Sequence, residues 1–254
     1  MYPSEVFSQW SREGLRSAGD HLQVWADKAV PLVQYEGMTV LHDGFRWYFT
    51  LMRAAIEGAA QSLWLTCAAS PEEAVARLIR MVRDDLREQL LAQKGFGDDT
   101  ALTEERIERH AAEAAKWSDF GKPVERMPAI VDIVKAAASC CDLDEERYVA
   151  IWRMCSAAAH GKSWAVGHLQ TLHGRVEWRP GQYLSTGVLN ADLFTETLRD
   201  VVNLVSCGVI RYQQRSGYDI RAEQQRAILD VARRTPQRDG GEHIENAAKL
   251  LGWT

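Results

Sequence analysis

The stretch YVAIWRMCSAAAHGKSW, residues 148–164, decides how the rest of the chain is read. Val149, Ile151, Trp152, Met154, Cys155 and the alanines after Ser156 spell a largely buried helix. Asp144 supplies an N-cap ahead of it, and Gly161 suits the left-handed position just past its end. Yet this apolar helix carries Arg153 and His160, seven residues apart. At 3.6 residues per turn, positions so spaced point within about 20° of one direction. Ser156, at i+3 from the arginine and i−4 from the histidine, shares the stripe. Alanines 157–159 thin the helix beside His160 and leave room for a second helix or a ligand. A permanent cation next to a proton carrier suits chemistry on a phosphodiester, with histidine for acid–base work and arginine for developing charge.

The same residues have a structural reading. A long apolar helix is expected over 43–68, and it holds Arg53 and Glu57 at i,i+4. A carboxylate there is hard to bury unless paired, and Arg153, Ser156 or His160 are natural partners. Both readings need helix 43–68 packed against helix 144–160 through Ala54, Ala55, Gly58, Ala59 and Ala157 to Ala159. Exposure separates them. Chemistry needs Arg153 and His160 open to a cleft or a dimer groove, whereas a structural network needs them buried against Glu57.

Outward from this pair the period stays helical. Leu15, Leu22, Trp25, Ala26 and Ala29 place a helix over 14–30, stopped by Pro31. SPEEAVARLIRMVRDDLREQLLAQKG begins with Ser70 as N-cap, Pro71 at N1 and Glu73 at N3, and its core stripe runs Val75, Leu78, Ile79, Val82, Leu86, Leu90. Further helices are expected over 103–117, 126–140, 191–215 and 219–234. Between them, 166–190 holds β-branched residues and the turn pairs His173–Gly174 and Pro180–Gly181, which predict a short β-hairpin. The expected fold is mostly α, one helical domain over 1–235 with a hairpin insert and a C-terminal extension at 236–254.

Composition bounds the function. With 254 residues, 46% of them hydrophobic, the chain can bury a sizeable core. A formal charge of −5 means that any polyanion site must be a local basic patch. Cysteines 67, 140, 141, 155 and 207 show no zinc spacing, and their apolar neighbours predict buried thiols in a reducing cytoplasm. No signal-peptide pattern opens the chain and no apolar run is long enough to span a membrane, so no membrane partner is expected.

Weaker candidates lie elsewhere. Arg77, Arg80, Arg83 and Arg87 form one stripe that could track RNA phosphates, although Asp84, Asp85 and Glu88 between them favour a solvated face. Those three acids superficially resemble the metal-binding cluster of terpene synthases, without a matching second motif. His168 and His173 lack a third ligand nearby, and His110 is expected to be exposed on a charged helix. No metal site and no cofactor are expected; there is no phosphate loop, no dinucleotide fingerprint and no nucleophile elbow.

The run RMCSAAAHG, residues 153–161, resembles the arginine-to-histidine motif of the HEPN superfamily, all-helical domains common in bacterial toxin–antitoxin and phage-defence systems. Arg53, Glu57 and the following SLWL resemble the earlier helix of one uncharacterised bacterial branch, and the likeness spans about residues 40–215. It implies a HEPN-like helical bundle that acts as a metal-independent endoribonuclease. Arg153 and His160 would be the catalytic pair, repeated across a homodimer, with Ser156, Glu57 and Arg53 in support. RNA and an antitoxin or other partner protein would be its partners. Met154 departs from the pattern, in which a polar residue often follows the arginine. The alternative is a non-catalytic interaction or regulatory module built on the same Arg/Glu/His network.

Overall fold

The computed structural model describes residues 6–29, 46–118, 126–217 and 219–234. The chain divides into two compact units, residues 1–212 and 213–254. Among the described residues the helices of the first unit are α1 (Phe7–Ala29), α2 (Arg46–Thr66), α3 (Pro71–Phe96), α4 (Ala101–Ser118), α5 (Ile130–Ser139), α6 (Glu145–Ala159), α7 (Ser163–Leu169) and the greater part of α8 (Ala191–Arg215). The second unit holds α9 (Ile220–Arg234). The extension expected at 236–254 lies outside the described residues. The fold is thus mostly α with one short hairpin, β1 (Gln170–Arg179) and β2 (Gln182–Leu189).

Helix α2 is apolar on most faces and becomes the centre of the first unit, with Phe49, Met52, Ile56, Leu63 and Leu65 fully buried. It packs against α1, α3, α5 and α6. The seam with α1 is a close approach of backbones. A Cβ on Gly58 would lie 2.5 Å from the carbonyl oxygen of Gly14, and one on Gly14 would lie 2.7 Å from that of Gly58. The buried hydroxyls of Ser11 and Ser62 satisfy each other beside this crossing at 2.7 Å. Gly58 therefore serves α1, not α6 as its sequence context suggested.

Helix α6 lies antiparallel to α2. The C-terminal end of α6 meets the first half of α2, and the chain just ahead of α6 meets the end of α2. Its start is set as expected, with Asp144 Oδ1 accepting the Arg147 N–H at 3.1 Å. Helix α3 also starts as expected: the Ser70 hydroxyl accepts the Glu73 N–H at 3.2 Å, and the Glu73 carboxylate accepts the Ala69 N–H at 2.8 Å.

Several expectations fail for identifiable reasons. Helix α1 begins at Phe7, a full two turns before position 14. Residues 163–169 form α7, so the hairpin starts at Gln170. Pro180–Gly181 is its turn, whereas Gly174 lies in a bulge between His173 and Val176. His110 is buried and its Nε2–H donates to the Ile79 carbonyl at 3.1 Å. It belongs to an i, i+3, i+4 stripe with Thr103, Ile107 and Ala114 that faces α3, and the charges of α4 occupy its other faces.

The cysteines depart most. Cys67, just past α2, and Cys140, the cap of α5, form a disulfide with Cα atoms 6.3 Å apart. Cys141 and Cys207 are half-buried thiols, and Cys155 alone is wholly buried. Apolar neighbours in sequence signal burial of a segment; they carry no information about which distant helix ends converge. Closing a loop across 73 positions stabilises the fold by about 4 kcal/mol in the chain-entropy model.

Candidate functional site

The site forms where the first half of α2 meets the end of α6. Arg53 is its hub. Its Nε–H donates to Glu57 Oε1 at 2.8 Å, one turn along the same helix, and its Nη1–H donates to His160 Nε2 at 2.9 Å. Trp152 Nε1–H donates to the same Glu57 oxygen at 2.8 Å, and its ring centroid lies 6.0 Å from the Arg53 guanidinium carbon. Glu57 thus holds Arg53 from one side and the indole from the other, and Arg53 presents its remaining edge to His160. Guanidinium groups only donate, so Nε2 of His160 is the acceptor and the ring proton sits on Nδ1.

His160 is the cap residue of α6 because the helix ends there in a Schellman arrangement. Gly161 N–H donates to Ala158 at 3.2 Å and Lys162 N–H to Ala157 at 2.9 Å. Gly161 has φ +69°, a conformation that a Cβ would strain. The Nη1 of Arg46 lies 3.7 Å from where such a Cβ would be. Arg46 and Arg53 are seven apart on α2, so the end of α6 is met by two guanidinium groups from one stripe.

Arg153 is exposed and makes no hydrogen bond or ion pair among the described residues, and His160 is exposed as well. Ser156 is half-buried and its hydroxyl joins none of these bonds. The structure therefore brings Arg53, Glu57 and His160 into one bonded chain, leaves Arg153 open on the helix that His160 caps, and gives the Ser156 hydroxyl no bond. Glu57 bonds none of the three partners expected for it; its α6 partner is Trp152. Met154 is buried in the core, so the position after Arg153 adds no polar group here. Trp152 and Arg46 were missed in the sequence. The seven-residue step from Arg46 to Arg53 is a signal for the second, and nothing in the sequence marked the indole as a donor.

The arginines of α3 are placed differently from one another. Arg77 pairs with Glu73, donates to the Trp64 carbonyl and lies over the Trp64 ring at 5.3 Å. Arg87 pairs with Asp84 and Glu88. Arg80 is half-buried and Arg83 is exposed, so the four do not form one open track. Among the described residues no group of three or more His, Cys, Asp or Glu could hold a metal ion, and no helix is long and apolar enough to cross a membrane.

The N-terminal end of α6 carries a second polar cluster. Arg147 donates to Asp200 of α8 through Nε at 2.7 Å and Nη2 at 2.6 Å, and Tyr148 donates its hydroxyl proton to the Asp200 carbonyl at 2.9 Å. Burial, then the nearby Asp200 carboxylate, holds the Tyr148 hydroxyl well above the usual phenol range.

In comparison with known proteins, no family model, no curated protein and no solved structure matches this chain.

Proposed function

We propose that this chain is a metal-independent endoribonuclease of the HEPN-like type, with Arg153 and His160 as its catalytic pair. The observation that carries the reading is the exposure of His160 at the end of α6, bonded to Arg53 and close to Arg46, with Arg153 exposed about two turns earlier on the same helix. Two guanidinium groups, Arg53 and Arg46, meet that end, and the Glu57 carboxylate that holds Arg53 is already bonded twice. Such an end attracts an anion and can bind a phosphate bidentately.

The chemistry follows from the bond between Arg53 and His160. An arriving RNA phosphate supplies a charged acceptor for Arg53 Nη1 and takes the place of His160 Nε2. That nitrogen is then free to accept the proton of the ribose 2′-hydroxyl. The 2′-oxygen attacks phosphorus, the 5′-oxygen leaves, and a 2′,3′-cyclic phosphate end remains. Arg153 and Arg53 stabilise the charge that grows on the phosphoryl oxygens. The equivalent histidine of a second copy, entering as the imidazolium, protonates the leaving oxygen, so one histidine gains the proton that the other gives up, and the working unit is a homodimer. Its setting is a bacterial cytoplasmic toxin–antitoxin or phage-defence system, with an antitoxin or other protein as partner.

One observation favours a second reading, a non-catalytic interaction module. Arg53, Glu57 and Trp152 satisfy one another within the chain and fasten α2 to α6 without a ligand. The two readings part in one assay. Purified protein incubated with single-stranded RNA and EDTA is expected to leave fragments with cyclic phosphate ends. Intact RNA with well-folded protein, at all concentrations that permit dimers, would overturn the nuclease reading.

A further inference from the structure

Four of the five cysteines meet at one place, at the opposite end of the α2–α6 seam from the candidate site. Cys67 follows α2, Cys140 caps α5, Cys141 opens the turn that leads to α6, and Cys207 projects from α8. Cys67 and Cys140 are bonded, Cys140 Sγ lies 3.7 Å from Cys141 Sγ, and Cys207 stands one turn before Arg211, whose Nη2–H donates to the Cys140 carbonyl at 3.4 Å. Cys141 and Cys207 are both half-buried, open enough for a small reagent, whereas Cys155 is sealed in the core. No residue of the candidate site belongs to this cluster.

We propose that Cys67, Cys140, Cys141 and Cys207 form an oxidative modification site, in which a peroxide or a low-molecular-weight disulfide converts Cys141 and Cys207 into a second disulfide. With peroxide, one of the two thiols is oxidised to the sulfenic acid and releases one water. The other attacks that sulfur, the S–O bond breaks, and a second water leaves. Two thiols lose two electrons and two protons, and one peroxide becomes two waters. With oxidised glutathione, the first thiolate forms a mixed disulfide and expels one glutathione; the second displaces the other. In either case the new bond joins the turn before α6 to α8, next to the bond that already joins α2 to α5.

The surroundings set the rate. Cys141 is faced by Cys207 and Arg211 from α8, by Asp142 in its own turn, by Cys140 and by Tyr148 of α6. Burial, with Cys207 and Asp142 adding to it and Arg211 opposing, pushes the Cys141 thiol up to about 12. Little thiolate exists there at neutral pH, so closure through Cys141 speeds up by about tenfold per pH unit across the neutral and mildly alkaline range.

The test uses the full chain, purified without reductant, treated with stoichiometric hydrogen peroxide or with oxidised glutathione, alkylated, digested and mapped by mass spectrometry. Expected are the cross-links Cys67–Cys140 and Cys141–Cys207, with Cys155 alkylated only after unfolding. Cys207→Ser should leave Cys141 as a single adduct and Cys67–Cys140 intact, and Cys141→Ser should do the same for Cys207. Separate adducts on Cys141 and Cys207 in the parent protein, or a Cys140–Cys141 bond with Cys67 released, would overturn the proposal. The readout in the parent chain is decisive even where a variant folds poorly.

Discussion

The two ends of α6 are built for opposite tasks. At its start, Asp144 caps the backbone, Arg147 grips Asp200 with two nitrogens and Tyr148 bonds the Asp200 carbonyl. The Asp200 side chain is only 11% exposed. At its end, His160 is exposed and held through Arg53, and about two turns earlier Arg153 is exposed and makes no bond among the described residues. One helix thus carries a cluster satisfied within the protein and a cluster with unused donors. Unused donors on a pinned helix are pre-positioned for a ligand, because the ordering cost has been met by folding.

That contrast can be broken most strongly at the open end. His160→Ala should lower RNA cleavage by roughly 10²–10⁴-fold, the range for loss of a general acid–base group, while melting temperature stays nearly fixed. Arg153→Lys should also fail, since lysine keeps the charge and loses the planar fork. At the pinned end the reverse is expected. Asp200→Ala leaves Arg147 only its longer pair with Glu196 at 3.5 Å, and because Arg147 is partly exposed at 44% the loss is about 1–3 kcal/mol in a urea titration and not the larger figure for a fully buried pair. Cleavage per folded molecule should persist in that variant.

A smaller effect belongs to the middle of the helix. Glu57→Gln removes the ion pair with Arg53 but keeps an acceptor for Trp152, and both partners of the pair are a quarter exposed. About 0.5–1 kcal/mol of stability should go, with a modest fall in cleavage as Arg53 loses its anchor.

Alkaline pH sharpens the comparison further. Burial raises Tyr148 above its usual range and pushes Cys155 up to about 12, and both lie on α6. A folded-state value above the unfolded one means that the native state keeps its proton longer. The stability is therefore complete below the unfolded values, about 8.5 for cysteine and about 10 for tyrosine, and is lost as pH rises through them towards the folded ones. The urea midpoint should fall from about pH 8.5 upward. Cys155→Ala should flatten the first part of that fall.

Much of this was legible because it depends on local spacing. The Asp144 cap, the Arg153 and His160 stripe and the Ser70–Glu73 start of α3 all follow from positions within a few turns of one another, and the small residues on α2 and α6 marked the two helices as close neighbours. What escaped depends on pairs far apart in sequence. Trp152 reaches Glu57 across 95 positions, Tyr148 reaches Asp200 across 52, and Cys67 meets Cys140 across 73. Periodicity names the face of a helix and is silent about which residue of another helix arrives there. His110 shows the limit within one helix: the abundance of charge on α4 hid a stripe of four less polar positions. For the candidate site, the helices and most of the side chains could be named, but not the bond order that makes Arg53 the hub.

The most direct measurement follows cleavage and thermal stability together in His160→Ala, using single-stranded RNA in EDTA. If the open end of α6 is a catalytic site, the parent protein cleaves, the variant does not, and the two melt at the same temperature. A parent protein that leaves RNA intact, with a variant that melts several degrees lower, would mean instead that His160 serves only to fasten α6 to α2.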